Sequence, residues 1–185
     1  MLFFADNTVL VNFAHIGRVD LLELMANGGA HWTRTVAQEC AASAVVPGLT
    51  ALTGVPAFFE EPESPQGAEW VDLQSIRDRL SRPGDSPKAH LGEAETLAIM
   101  ARRFQDFLFV TDDTGAKLEA RRAGIETTDT GQLIIAGVRT GLVSTSDGWA
   151  YFQHLRVAGR HPGSAPANES EFLARVAPLG RATDD

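Results

Sequence analysis

Two short apolar runs, each ending at an aspartate and followed by a helical pattern, constrain the fold of this chain most. The run 2–5 ends at Asp6, and the run 107–111 ends at the pair Asp112 and Asp113. Apolar runs of this length are typical of buried strands. In a parallel α/β sheet, strands that lead into helices end at the same edge, so carboxylates from distant parts of the chain should gather there. The chain is therefore predicted to be an α/β protein with a mostly parallel sheet.

Helical patterns and short apolar stretches alternate along the rest of the chain. Strands are predicted at 2–6, 30–33, 70–73, 107–111 and 125–128. Helices are predicted at 7–26 with a break near Gly17, and at 34–45, 74–82, 91–104, 114–123, 131–140, 149–157 and 169–177. Asn27-Gly28-Gly29 predicts a helix stop. The stretch 47–67, rich in proline and glycine, predicts an irregular surface insertion with some helix.

Charge and cysteine content limit the classes of function and setting. The 185 residues carry a net charge of −8, whereas a protein that coats nucleic acid through a broad surface is usually basic. An enzyme that meets phosphate through bound metal remains compatible with this charge. The single cysteine, Cys40, cannot form an internal disulfide, which favours a reducing, cytoplasmic setting. No apolar stretch approaches the roughly 20 residues of a membrane span, so no membrane contact is expected.

Acidic residues recur where apolar runs meet helices. They are Asp6, Glu39, the pair Glu93 and Glu95, and the pair Asp112 and Asp113. Each one alone is explained as a helix N-terminal residue that complements the exposed N–H groups. Together they would repel one another unless a hard cation lay among them, and Mg²⁺ or Mn²⁺ prefers such oxygen ligands. The five histidines are scattered without zinc-ligand spacing, which disfavours zinc.

The order of these motifs resembles that of PIN-domain nucleases over roughly residues 2–145. The resemblance rests on Asp6 to Leu10, Thr35 to Glu39, Gly92 to Ala98, Val110 to Asp113, Ala116 to Ile125 and Thr130-Gly131. It implies a PIN-like, three-layer α/β/α fold in a nuclease domain at 1–150, with a C-terminal helical extension and tail at 151–185. It also implies Mg²⁺- or Mn²⁺-dependent endonucleolytic cleavage of RNA that leaves a 5′-phosphate and a 3′-hydroxyl. Many members are toxins of bacterial toxin–antitoxin pairs, so an antitoxin protein is a possible partner.

The resemblance implies a set of catalytic acids in which two positions stay open. Asp6, Glu39, Glu95 and Asp113 match the four catalytic positions, and the metal set adds Glu93 and Asp112 as alternatives. Residues 93 and 95 point about 200° apart on a helix, so both cannot chelate from its middle. Register against Thr111-Asp112-Asp113 favours Glu95, with Glu93 close behind.

Three further residues are candidates for contact with RNA. Thr111 precedes the fourth acid by two residues, and Lys117 and Arg121 are four apart on the following helix. Glu119 shares this helix, and a solvated charged helix face is the favoured explanation for the two cations. Asn12 is a polar residue in an apolar helix, and it either hydrogen-bonds a catalytic carboxylate or lies at the surface.

Two function classes are consistent with this sequence. The leading hypothesis is a metal-dependent endoribonuclease, and a homodimer would give it a wider groove for RNA. The alternative is a catalytically inactive PIN-like module that binds protein or RNA without cutting. Convergence of the acids around a metal ion distinguishes the two.

Overall fold

Four parallel strands form the centre of the molecule. The structure, a computed structural model, describes residues 1–26 and 28–177. The strands are β1 (Phe3–Ala5), β2 (Ala30–His31), β3 (Leu108–Val110) and β4 (Thr127–Thr128), in the order β2-β1-β3-β4. All three pairings are parallel, which confirms the predicted parallel sheet.

Helices follow and connect these strands. They are α1 (Asn7–His15), α2 (Val19–Ala26), α3 (Arg34–Ala44), α4 (Glu69–Leu80), α5 (Leu91–Arg103), α6 (Thr114–Arg122), α7 (Thr130–Arg139), α8 (Thr145–Val157) and α9 (Glu169–Val176), with a 3-10 helix at Thr50–Ala57. Gly17 separates α1 from α2 at a φ of 66°, as its position predicted. Of the predicted helix stop, Asn27 lies outside the described residues, and Gly28 follows α2 at a φ of 80°.

The side chains of β1 alternate between two apolar cores, one on each face of the sheet. Phe3 and Ala5 face a core built with α1, α2, α3, α7, α8 and α9, whereas Phe4 faces a second core built with α4, α5 and α6. On β3, Val110 faces the first core and Phe109 faces the second. The sheet therefore lies between two helical layers, and the three-layer α/β/α prediction is confirmed.

The predicted strand at 70–73 is wrong, because these residues belong to α4. Leu73, Ile76 and Leu80 are buried at helical spacing, whereas Trp70 and Val71 are exposed. A strand in a covered parallel sheet would bury its apolar residues on both faces. The apolar residues instead form one stripe, which packs on α5.

The segment 47–67 is more than a surface insertion. Leu52, Val55 and Phe59 are buried in the first core. Isolated parallel bridges join Ala30 to Phe59 and Thr33 to Glu63, so the segment runs beside β2 and covers that edge of the sheet.

The C-terminal helix α9 packs into the first core. Phe172 is fully buried there and contacts the Phe152 ring edge-on, with 5.8 Å between ring centroids. Gly148 admits this ring, because a Cβ at 148 would lie 3.0 Å from Phe172 Cζ. The division at residue 150 stays a prediction, and 178–185 of the predicted tail lie outside the described residues. Within residues 1–26 and 28–177, no helix is both long and apolar enough to span a membrane.

Truncation of Phe172 tests whether α9 stabilises the whole domain. Phe172→Ala should lower the free energy of unfolding by about 3–5 kcal/mol, measured by urea denaturation, because it opens a cavity in the core. Leu173→Ala is the matched control, because Leu173 is 47% exposed on the same helix. A change below about 0.5 kcal/mol for Phe172→Ala would show that α9 does not belong to the cooperative core.

Candidate metal centre

The pairing of β1 with β3 determines where the acids meet. Asp6 follows β1, and Asp113 lies three residues beyond the end of β3 and immediately before α6. The Asp6 N–H donates to the Val110 carbonyl at 2.9 Å, so both strands end at one edge of the sheet. Glu39 of α3 and Glu93 in the first turn of α5 lie at the same edge, because their charges act on Asp6.

Asp6 is the most deeply buried member of this cluster. Its side chain is 3% exposed, and the buried Oδ2 has no hydrogen-bond partner. Asp6 precedes α1 but makes no side-chain cap. Burial, followed by the charges of Glu93 and Glu39, raises the pKa of Asp6 to about 8. Thr8 and the Asn7 backbone, in the first turn of α1, lower the pKa of Asp6 only in part. The buried Oδ2 is therefore a desolvated oxygen that helix capping does not satisfy.

Glu39 and Glu93 continue the cluster. Burial raises the pKa of Glu39 to about 7, and the charges of Glu93 and Glu95 add to the rise. Burial also raises the pKa of Glu93; the Asp113 charge adds to this, and the Glu93 backbone hydrogen bond and His90 oppose it. Each of these carboxylates thus disfavours the charge of its neighbours.

Gly92 allows α3 and α5 to approach closely. A Cβ at position 92 would lie 3.1 Å from Glu39 Oε2 and 3.4 Å from Val36 Cγ2. Because glycine lacks this atom, Glu39 can extend toward the first turn of α5.

His90, Glu93 and Asp113 form a compact group of possible metal ligands. One ligand atom from each lies within 4.8 Å of the other two, and all three side chains are half-buried. Asp113 also caps α6, where its Oδ1 accepts from the Ala116 N–H at 2.6 Å. Sequence reasoning missed His90, because the histidines were weighed for mutual spacing. Its place immediately before α5 and three residues before Glu93 was the available signal.

Glu95 lies on a different side of α5 from Glu93. It is 4% exposed, and its Oε2 accepts from the Thr35 N–H at 2.9 Å in the first turn of α3. This hydrogen bond satisfies a free helix N–H and joins α5 to α3. The structure thus brings Glu93, rather than Glu95, together with Asp113.

The carboxylate of Asp112 accepts hydrogen bonds from residues of two helices. Its Oδ2 accepts from Asn12 Nδ2 at 2.7 Å and from Thr130 Oγ1 at 2.5 Å, and its Oδ1 accepts from the Thr130 N–H at 3.2 Å. Burial raises the pKa of Asp112 despite these hydrogen bonds. Asn12 is 2% exposed, so it hydrogen-bonds a carboxylate as one sequence hypothesis expected. Arg160 Nε donates to Asn12 Oδ1 at 2.6 Å, which ties the C-terminal loop to α1.

The predicted substrate residues occupy three different environments. Thr111 is fully buried, and its hydroxyl accepts from the Asp113 N–H at 3.1 Å, so it positions the fourth acid. Lys117 Nζ pairs with Asp129 Oδ2 at 2.6 Å. Burial by itself would raise the pKa of Asp129. The hydrogen bonds from Lys117 and then Ser164 outweigh burial, so the pKa of Asp129 is lowered. Arg121 is exposed on α6.

A covered parallel sheet with carboxylates gathered at its carboxyl edge defines a three-layer α/β/α protein with an acidic site at that edge. A family model described as DUF3368, a PIN domain, matches residues 2–165. The chain therefore belongs to the PIN-domain family. No curated protein and no solved structure matched the chain.

The raised pKa of Asp6 predicts a pH-dependent gain in stability on its replacement. Because the pKa of Asp6 rises from 3.8 to about 8 on folding, the metal-free protein loses stability as pH rises through that interval. Asp6→Asn should raise the free energy of unfolding by roughly 1–3 kcal/mol at pH 8 and change it far less at pH 4. Urea denaturation in a chelator at both pH values measures the difference.

Asp78→Asn is the control, because Asp78 is exposed on α4. A loss of stability at pH 8 for Asp6→Asn would contradict the desolvated-carboxylate description.

The two glutamates of α5 should respond differently to replacement. Glu95→Ala should lower the free energy of unfolding by about 1–2 kcal/mol, because the Thr35 N–H loses its acceptor. Glu93→Gln should leave the stability in a chelator unchanged or increase it, since it removes repulsion from the cluster. Equal effects of the two changes in urea denaturation would rule out this division of roles.

Proposed function

We propose that the protein is a metal-dependent endoribonuclease whose Asp6, Glu39, Glu93 and Asp113 hold Mg²⁺ or Mn²⁺. The observation that supports this most is the buried, unpartnered Oδ2 of Asp6 among other carboxylates. Isolated burial of a charged carboxylate is costly, and a cation at the cluster offsets both the desolvation and the repulsion.

The donor set fits a hard divalent cation. Its carboxylates supply oxygen atoms, and the ligand atoms of Glu93 and Asp113 already lie within 4.8 Å of each other and of His90. Bound Mg²⁺ or Mn²⁺ would polarise a phosphodiester and lower the pKa of a coordinated water. The assignment of the third acid shifts to Glu93, whereas Glu95 holds the first turn of α3 in place.

The remaining polar residues orient the cluster. Thr111 fixes the backbone at Asp113, and Asp112 joins α1 to α7 through Asn12 and Thr130. Such supporting hydrogen bonds keep ligands in one orientation. Asp112 therefore acts as a positioning residue in this proposal.

Arg160 and Arg121 are the cations we propose for contact with RNA phosphate. Arg160 is half-buried beside α1, where its Nη2 donates to the Thr8 carbonyl at 3.4 Å. In residues 1–26 and 28–177, neither arginine has a carboxylate within 4.0 Å, whereas Lys117 is paired with Asp129. With a net charge of −8, a few local cations suit this role better than a broad basic surface.

Cleavage of RNA by purified protein tests the proposal. The wild type should cut a mixed RNA substrate in Mg²⁺ or Mn²⁺ and stop in excess chelator, and Asp6→Asn and Glu93→Gln should each reduce the rate at least about 100-fold. Gel analysis with end-group mapping measures the rate and should find 5′-phosphate and 3′-hydroxyl ends.

The matched controls are Asp78→Asn and Glu126→Gln, both at exposed carboxylates outside the cluster. Cleavage that persists in chelator would refute the metal-dependent mechanism. RNA binding without cleavage in either metal would support the inactive binding module instead. The toxin role, an antitoxin partner, a homodimer and a cytoplasmic location stay predictions of the sequence.

A further inference from the structure

His90 lies beside the carboxylates and is not one of the four acids proposed as metal ligands. It lies immediately before α5 with a φ of 58° and is 24% exposed. Its Nδ1 is 4.0 Å from Glu93 Oε1, and its ligand atom lies within 4.8 Å of those of Glu93 and Asp113. The imidazole therefore borders the same space as two of the proposed ligands.

Asp85 favours one tautomer of this imidazole. Asp85 Oδ2 lies 3.3 Å from His90 Nε2, on the side of the ring away from Glu93. Asp85 is itself held by the Arg82 N–H, which donates to Oδ2 at 2.7 Å. A carboxylate beside one ring nitrogen favours a proton there and leaves the other nitrogen as a lone-pair donor, the usual arrangement of a metal-bound histidine. Of the two carboxylates beside the ring, Asp85 at 3.3 Å is closer than Glu93 at 4.0 Å, so the proton is favoured on Nε2 and Nδ1 is the nitrogen left for an ion.

A second observation comes from Asp6, which lies at the same edge of the sheet. Asp6, which is 97% buried, has a buried Oδ2 without a hydrogen-bond partner, and its charge interacts with that of Glu93. The carboxylates of Glu93 and Asp113 and the imidazole of His90 match the mixed oxygen and nitrogen donors of a transition-metal site.

We propose that His90 Nδ1 is an additional metal ligand, oriented by Asp85, and that it makes the site select Mn²⁺ over Mg²⁺. This inference rests on the metal centre of the proposed function. Mg²⁺ takes oxygen ligands and keeps its waters, whereas Mn²⁺ accepts an imidazole nitrogen more readily. Loss of the nitrogen should therefore affect binding of Mn²⁺ far more than binding of Mg²⁺.

Pulsed electron paramagnetic resonance of the Mn²⁺-loaded full chain tests the coordination directly. The wild type should show ¹⁴N modulation from a bound imidazole, and His90→Asn should lack it. Asparagine tolerates the left-handed backbone at position 90, so the variant should keep the fold, as thermal unfolding would verify. By isothermal titration, His90→Asn should weaken Mn²⁺ binding about 10- to 100-fold, while Mg²⁺ affinity should change less than about threefold.

His154→Asn is the matched control, because His154 is exposed on α8 and removal of its imidazole should leave both readouts unchanged. Asp85→Asn should keep the ¹⁴N signal and weaken Mn²⁺ binding to a smaller extent. Tight Mn²⁺ binding without ¹⁴N modulation in the wild type would overturn the role of His90 and leave the carboxylate site intact. Persistence of the signal in His90→Asn would also overturn it. Absence of any Mn²⁺ or Mg²⁺ binding would overturn the proposed function as well.

Discussion

The parallel pairing of β1 with β3 is the constraint on which the site depends. Phe3, Phe4 and Ala5 pair in register with Leu108, Phe109 and Val110, although about a hundred residues separate the two strands. Each strand is buried on both faces by a separate apolar core. A shift of register by one residue would exchange the faces of every side chain in the strand. The packing of the two apolar cores therefore fixes the positions of the acids that follow the strands.

The acid cluster has an energetic cost that the rest of the fold offsets. Asp6 and Glu39 are carboxylates whose raised pKa values show that the metal-free fold disfavours their charges. By contrast, Asp112, Asp113 and Glu95 accept hydrogen bonds from backbone or side-chain donors. The carboxyl edge of the sheet thus combines Asp112 and Glu95, whose hydrogen bonds join helices, with Asp6, whose buried Oδ2 has no hydrogen-bond partner. Proteins commonly accept a local loss of stability at the residues of a functional site.

The sequence predicted the parallel layers and the edge at which the acids lie, because strand-end aspartates follow from apolar runs alone. It could not choose between Glu93 and Glu95, because that choice depends on how α5 is rotated against α3. The short apolar run at 70–73 was ambiguous between strand and helix, and packing of Leu73 and Ile76 on α5 decided for a helix. His90 differs from these two cases, because its place three residues before Glu93 is a local signal in the sequence. The choice between the glutamates and the helix at 70–73, by contrast, depend on tertiary contacts that local pattern does not contain.

The glycine before Glu93 has a consequence for the spacing of the acid cluster. Since α3 and α5 approach where Gly92 lacks a side chain, a single added methyl group would meet Glu39 Oε2 at 3.1 Å. An alanine there would favour the helix by about 1 kcal/mol, yet it would displace one wall of the cluster by a few tenths of an ångström. Ionic radii of the common divalent cations differ by a similar amount, as their bond lengths to oxygen show. Gly92 therefore sets the spacing between Glu39 and the first turn of α5, and in the proposed metal centre that spacing would bear on which cation fits.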